Sequence, residues 1–282
     1  MVRRAYAKIN LGLRVLRKRE DNFHDLETIF HRVNLYDDLG IEGSAASISI
    51  TGEGLAVPQD EKNLCWKAVE VLRTEIGELR GAKIHLTKRI PIGAGLGGGS
   101  SDAAAVLTAL PQIWNTPVDA ATLARVGLSL GSDVPFFLHN RSAYAEGRGE
   151  RLKFVSLSLP YWILVVTPDI HISTAWAFGR LSDRRPVNTR LRKLYDGATC
   201  TVAAVSSLME NDFEGIVFPA YPEIAGIKQE LMTRGAAYAL LSGSGSSVFG
   251  LFNKEAETRR AEEHFQQHYS VSLTPPHFIP SL

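Results

Sequence analysis

Cysteine is nearly missing from these 282 residues, with Cys65 and Cys200 the only two. They stand far apart and form no Cys-x-x-Cys spacing, which excludes a structural zinc framework and predicts a reducing, cytoplasmic setting. Net charge is almost missing too. With 31 basic and 30 acidic residues the formal balance is +1, so neither nucleic acid nor a membrane surface is expected as the main partner. The basic runs at 184–185 and 190–193 read as solvated loop. No long apolar run occurs: the longest, residues 161–166, has strand length and falls well short of the ~20 residues of a membrane helix. Arg3, Arg4 and Lys8 interrupt the N-terminal stretch, so no signal peptide is expected. Repeats and low-complexity tracts are lacking as well. What is present, 45% hydrophobic and 22% charged residues, is ordinary globular composition for one large or two modest domains.

Against this background one stretch stands out, Pro91-Ile92-Gly93-Ala94-Gly95-Leu96-Gly97-Gly98-Gly99-Ser100-Ser101-Asp102, leading into Ala103-Ala104-Ala105-Val106-Leu107. Glycines this dense form neither helix nor strand interior, but they allow backbone to approach a ligand closely. The alanine run is strong helix material, with Ser100 or Ser101 as the expected cap. A glycine loop opening onto a helix start aims free N–H groups and the positive dipole end at one point, which suits a phosphate. No lysine lies between Pro91 and Leu110, so a Walker loop is excluded. A dinucleotide fingerprint matches formally at Gly93, Gly95 and Gly98, yet its acid, Asp119, reads as a helix N-cap after Pro117-Val118 and not as a strand end.

The remaining pattern, Pro-x-Gly-x-Gly-Leu-Gly-x-Gly-Ser-Ser-x-Ala, resembles the second motif of the GHMP kinases, the galactokinase, homoserine, mevalonate and phosphomevalonate kinase family. Two further stretches carry the same resemblance. Ala7-Lys8-Ile9-Asn10-Leu11 and Asn22-Phe23-His24-Asp25-Leu26-Glu27-Thr28 are similar to the first motif, in the form used by the branch acting on cytidylated methylerythritol in isoprenoid precursor biosynthesis. Leu241-Ser242-Gly243-Ser244-Gly245-Ser246-Ser247-Val248-Phe249 is similar to the third. Asn22 and Phe23 stand where that branch has Gly-Tyr; phenylalanine keeps a stacking face and loses the hydroxyl.

The residues by themselves predict alternating elements. Residues 5–16 alternate as a half-buried strand with Lys8 and Asn10 side by side. Residues 23–36 form a second extended segment, and 39–51 a strand pair around Gly43-Ser44. Asn63 caps a helix to Ile76, and 82–88 is the strand entering the glycine loop, where Lys88 is equally a nucleotide ligand or a surface charge. Pro111 bends or stops the next helix near Leu110. Asp119 starts a helix that Gly131 ends in left-handed conformation. Residues 161–167 are a strand, Ser173 or Thr174 caps a short helix, and 181–199 is a polar loop. A helix over 224–234, another around 255–267 and strands near 271–273 and Phe278 complete the chain.

The resemblance implies an α+β, two-domain GHMP kinase fold: an N-terminal domain like domain 2 of ribosomal protein S5 over 1–157, and a ferredoxin-like C-terminal domain over 158–282. It implies an enzyme transferring the γ-phosphoryl group of ATP, with Mg²⁺, to the 2-hydroxyl of a cytidylated methylerythritol. Lys8 and Asp133 would be catalytic, although Asp133 by itself reads as a turn residue before a proline. Pro91, Gly93, Ala94, Gly95, Leu96, Gly97, Gly98, Gly99, Ser100 and Ser101, with Asn63 and Lys88, would bind ATP. Asn10, Phe23, His24, Phe178, Gly243 and Ser244 would bind the acceptor, His24 reading the cytosine edge between Phe23 and Phe178. Alternative readings are a homoserine- or mevalonate-type kinase, or a non-catalytic ligand sensor on the same fold.

Overall fold

Strand β2 (His24–Ser44) is the spine of the first sheet. Strand β1 (Val2–Lys18) pairs antiparallel along nearly its whole length on one side. On the other side lie β4 (Gly81–Lys88), paired with residues 38–44, and β5 (Ser142–Gly147), paired with residues 26–30. Outer strands β3 (Ile48–Gly54) and β6 (Arg151–Val155) complete a six-stranded sheet, β3 running parallel to β4. The expected strand pair around Gly43-Ser44 is therefore corrected: both strands exist, but β4 lies between them. The computed structural model describes residues 1–181, 191 and 209–281. The rest of the expected 181–199 loop, its basic run and Cys200 lie outside the described residues.

Helices α1 (Leu64–Ile76), α2 (Gly98–Ile113), α3 (Ala120–Leu130) and α4 (Val134–Phe137) cover one face of this sheet. The second sheet, in order β10-β7-β9-β8, is formed by β7 (Trp162–Thr167), β8 (Tyr238–Leu241), β9 (Val248–Phe252) and β10 (Ser270–Thr274). Short helix α5 (Thr174–Phe178) follows β7, and α6 (Glu214–Ala220), α7 (Pro222–Thr233) and α8 (Glu255–Phe265) join α5 in the core on the outer face of the sheet. Along β7 the alternation is strict. Ile163 and Val165 face the first sheet with Leu240, Phe249 and Leu251, whereas Leu164 and Val166 face the helices. The layers run helix, sheet, sheet, helix.

That stacking explains why β1 is buried on both sides instead of half-buried. Ala7, Ile9 and Leu11 pack between the sheets, and the alternate residues Lys8 and Asn10 are buried on the helix side. Of the expected caps, Asn63 and Asp119 accept from the Cys65 and Thr122 amides, and Ser173 caps α5. Three expectations change. Gly131 ends α3 at φ 171°, in extended and not left-handed conformation. Pro111 is accommodated three residues before Trp114, and α2 runs on to Ile113. Finally, Phe278 lies outside any strand.

Candidate active site

Backbone geometry of the glycine loop sets the site. Gly97, at φ 72°, is the N-cap of α2, so Ser100 and Ser101 lie inside the helix and not at its cap. The helix starts earlier than composition predicts because left-handed Gly97 lets Gly98 and Gly99 form its first turn. Ser101 turns inward and donates its hydroxyl to the Tyr6 carbonyl at 2.8 Å. The amides of Gly98, Gly99 and Ser100 precede the first backbone bond of the helix, from Ser101 N to Gly97 O, and helix-start amides of this kind are donors for an anion.

Lys8 reaches this loop from β1. Its Nζ donates to Asn10 Oδ1 at 2.6 Å and to Gly95 O at 3.1 Å, lies 3.6 Å from Asp133 Oδ2, and sits 5.1 Å above the Phe30 ring. Burial pulls the Lys8 ammonium below the ordinary lysine value, and Asp133 opposes that pull. Asn10 donates onward to Thr28 Oγ1, which donates to Gly12 O. Asp133 stands at the start of α4 and is partly open to solvent. A buried cation, a reachable carboxylate and an amide-lined anion site thus meet at one point.

The Gly-Ser loop between β8 and β9 closes against the same place. Ser242 donates to Gly95 O at 3.0 Å, and the Ser247 amide to Ala94 O. Gly95 has φ 77°, and a Cβ there would run into the Ser242 carbonyl oxygen. Gly243 packs on Gly95 and on Asn10 Oδ1, and Asn211 Nδ2 bonds the Leu241 and Gly243 carbonyls at 2.8 Å each.

One cavity of about 1000 Å³ joins these parts. Its wall includes every expected site residue except Leu96 and Ser101, which are buried behind it. Two expected placements differ in detail. Lys88 is neither surface charge nor a simple ligand: it is buried, with Nζ 2.6 Å from Asp37 Oδ2 and 2.5 Å from Asp102 Oδ2. Asp37 also accepts from the Arg89 and Ile90 amides, whereas Asp102 Oδ1 has no partner among the described residues. Burial raises the Asp102 carboxyl to about 8. Likewise Phe178, expected opposite Phe23, has His24 as its ring partner. It stacks on His24, ring centroids 5.0 Å apart at 29°, with Phe213 edge-on behind it. Phe23 is half-exposed under Arg148, whose guanidinium carbon is 4.5 Å from the ring centroid.

Sequence reasoning missed Arg148, Asp102 and Phe213 as parts of the wall. Arg148 carried a signal, standing between glycines in a hairpin tip, with Gly147 and Gly149 at positive φ. Asp102 followed the loop directly; its depth depends on the packing of α2 on the sheet. Phe213 gave no local sign.

Family models for the GHMP kinases N terminal domain and the GHMP kinases C terminal match residues 63–141 and 201–271. The chain is 45% identical to 4-diphosphocytidyl-2-C-methyl-D-erythritol kinase of Chlorobium chlorochromatii, covering 99% of this chain and 98% of the relative. It is 41% identical to the enzyme of that name from Chlorobaculum tepidum, covering 98% and 97%. A crystal structure of 4-(cytidine 5'-diphospho)-2C-methyl-D-erythritol kinase superposes with a TM-score of 0.80 at 35% identity, covering 97% of this chain and 98% of that one. Homoserine kinase from Cytophaga hutchinsonii shares the fold alone, with a TM-score of 0.75 at 17% identity over 98% and 95% of the two chains. By these matches, and with all three motifs on one cavity, the chain is an ATP-dependent small-molecule kinase that belongs to the GHMP kinase family.

Proposed function

We propose that the chain transfers the γ-phosphoryl group of ATP to the 2-hydroxyl of 4-diphosphocytidyl-2-C-methyl-D-erythritol, yielding the 2-phosphate and ADP. The observation that carries this reading is the convergence of Lys8, Asn10 and Asp133 on the start of α2, with an aromatic platform of His24 and Phe178 on the wall of the same cavity. Relatives with that name match end to end.

Phosphoryl transfer asks the protein for positioning and charge neutralisation more than for covalent chemistry. The amides at the start of α2 bind the triphosphate, and Lys8 supplies a fixed cation beside it. Asp133, 3.6 Å from the Lys8 Nζ, accepts the acceptor's hydroxyl proton. Asn10, locked by Thr28, fixes where the Lys8 head rests. Mg²⁺ would accompany the nucleotide. No cluster of three metal-ligating side chains occurs among the described residues, which fits an ion held largely by substrate phosphates and water. Bound there, it would neutralise charge on the phosphates. His24 and Phe178 offer a face and an edge for the cytosine. In this reading the two domains are 1–157 and 158–282, the first carrying the nucleotide and the second completing the acceptor site.

Turnover and ATP binding of an Asp133→Ala variant test the assignment. Losing a positioned base costs ~10²–10⁴ in rate, so kcat should fall by that factor while ATP affinity stays near the wild-type value. Near-normal turnover would refute the base, and equal loss of binding would mark Asp133 as structural.

A further inference from the structure

Arg32 is a buried charged residue that the mechanism above does not use. It faces the helix side of β2, two residues after Phe30 and in register with Lys8 of β1. Its Nη2 donates to the Phe137 carbonyl at 2.8 Å and to the His139 carbonyl at 2.7 Å. Its guanidinium carbon lies 5.6 Å from the Phe136 ring and 5.3 Å from the Phe137 ring. Nε has no partner among the described residues. Such a cation is costly to bury, and burial lowers its pKa to about 10, leaving it protonated at neutral pH.

The elements it touches all lead to the reacting centre. Helix α4 is a single turn beginning directly after Asp133, and a helix so short cannot satisfy its own terminal carbonyls. Phe136 packs on Phe30, the ring under Lys8 Nζ, with centroids 5.0 Å apart. Phe137 abuts Gly97, where a Cβ would lie 2.9 Å from its ring. We infer that Arg32 is a positioning residue for phosphoryl transfer: by fastening the carbonyl end of α4 it fixes Asp133 relative to Lys8 and to the glycine loop. It touches neither substrate and acts through Asp133, so the inference rests on Asp133 being the base.

Lysine at this position keeps the charge but cannot span two carbonyls in the fixed plane of a guanidinium. Misplacing a reacting group by about 1 Å costs up to ~10²-fold in rate. Steady-state constants for wild type, Arg32→Lys, Asp133→Ala and the double variant decide the matter, each protein first checked by its thermal melt. Arg32→Lys should lower kcat about 10- to 100-fold and leave KM for ATP within about twofold. In the Asp133→Ala background the same change should alter the residual rate less than about twofold, because groups acting as a unit are not additive. Should Arg32→Lys not fold, Arg32→Gln carries the same comparison. Wild-type kcat in the Arg32 variant, or an equal loss with and without Asp133, would overturn the inference while leaving the base intact. Wild-type turnover by Asp133→Ala alone would overturn the base itself, and this inference with it.

Discussion

Single residues carry most of the chemistry, and their spacing in sequence shows how little of it is local. Lys8 and Asn10 follow from strand periodicity as neighbours on one face. Their burial does not, because it comes from helices that arrive some ninety residues later. Asp133 on its own is an aspartate before Val-Pro; only its 3.6 Å distance to Lys8 gives it a partner. The low pKa of Lys8 has a kinetic consequence. As pH rises, Lys8 loses its proton before an ordinary lysine would, so kcat should fall on an alkaline limb lying below the usual lysine range. A pH–rate profile checks this, and a flat profile up to pH 10.5 would contradict it. On the wall of the same cavity, His24 already stacks on Phe178. Base–aromatic stacking is worth ~1–3 kcal/mol, so Phe178→Ala should raise KM for a cytidylated acceptor at least about fivefold and leave KM for ATP unchanged. Equal effects on both substrates would show that Phe178 serves packing alone.

Elements were legible where capping chemistry is local and misread where glycine overrides it. The Asn63 and Asp119 caps bond as side-chain chemistry dictates, at 2.9 and 2.8 Å. The serines after the glycine loop do not cap, since Gly97 starts α2 ahead of them. The same loop explains why Gly95 tolerates no side chain. With positive φ and the Ser242 carbonyl against it, Gly95→Ala should cost ~1–3 kcal/mol of backbone strain and abolish ATP binding, as calorimetry would show. Beneath α2, the Asp37–Lys88–Asp102 cluster ties β2, β4 and α2 together. Removing the shared cation with Lys88→Met leaves the Asp37 and Asp102 side chains buried without their common partner and should destabilise by ~3–5 kcal/mol. The pH dependence has a definite sign. Asp102 titrates at about 8 when folded against 3.8 ordinarily, so the folded chain holds a proton that the unfolded chain releases. Its contribution is therefore complete below about pH 4 and is lost as pH rises through about 8. Relative to Asp102→Asn, the wild-type melting temperature should decline between pH 5 and pH 8 and level off beyond; parallel profiles would refute the assignment.

At the largest scale, most elements could be read from periodicity and the α+β class came with the motif resemblance, but the four-layer stacking could be read from neither. A strand such as β1, apolar on one face and polar on the other, normally signals one solvated side. Here the polar face lines a cleft, so alternation marks a cavity wall and not an outer surface. The site also unites both sheets: the loop between β8 and β9 packs on Gly95, and α5 brings Phe178 to His24. Contacts separated by some 150 residues leave no periodic trace. Motif resemblance found these partners where residue-by-residue reasoning saw a Gly-Ser hairpin and a core aromatic. The reaction is defined by the oxygen that receives the phosphoryl group. Phosphorus NMR of the wild-type protein with ATP, Mg²⁺ and 4-diphosphocytidyl-2-C-methyl-D-erythritol tests it directly. A new phosphomonoester signal, coupled to the acceptor at carbon 2, should grow in step with ADP while the acceptor's diphosphate signals persist. ADP accompanied only by inorganic phosphate, or no ADP with this acceptor but turnover with homoserine or mevalonate, would contradict it.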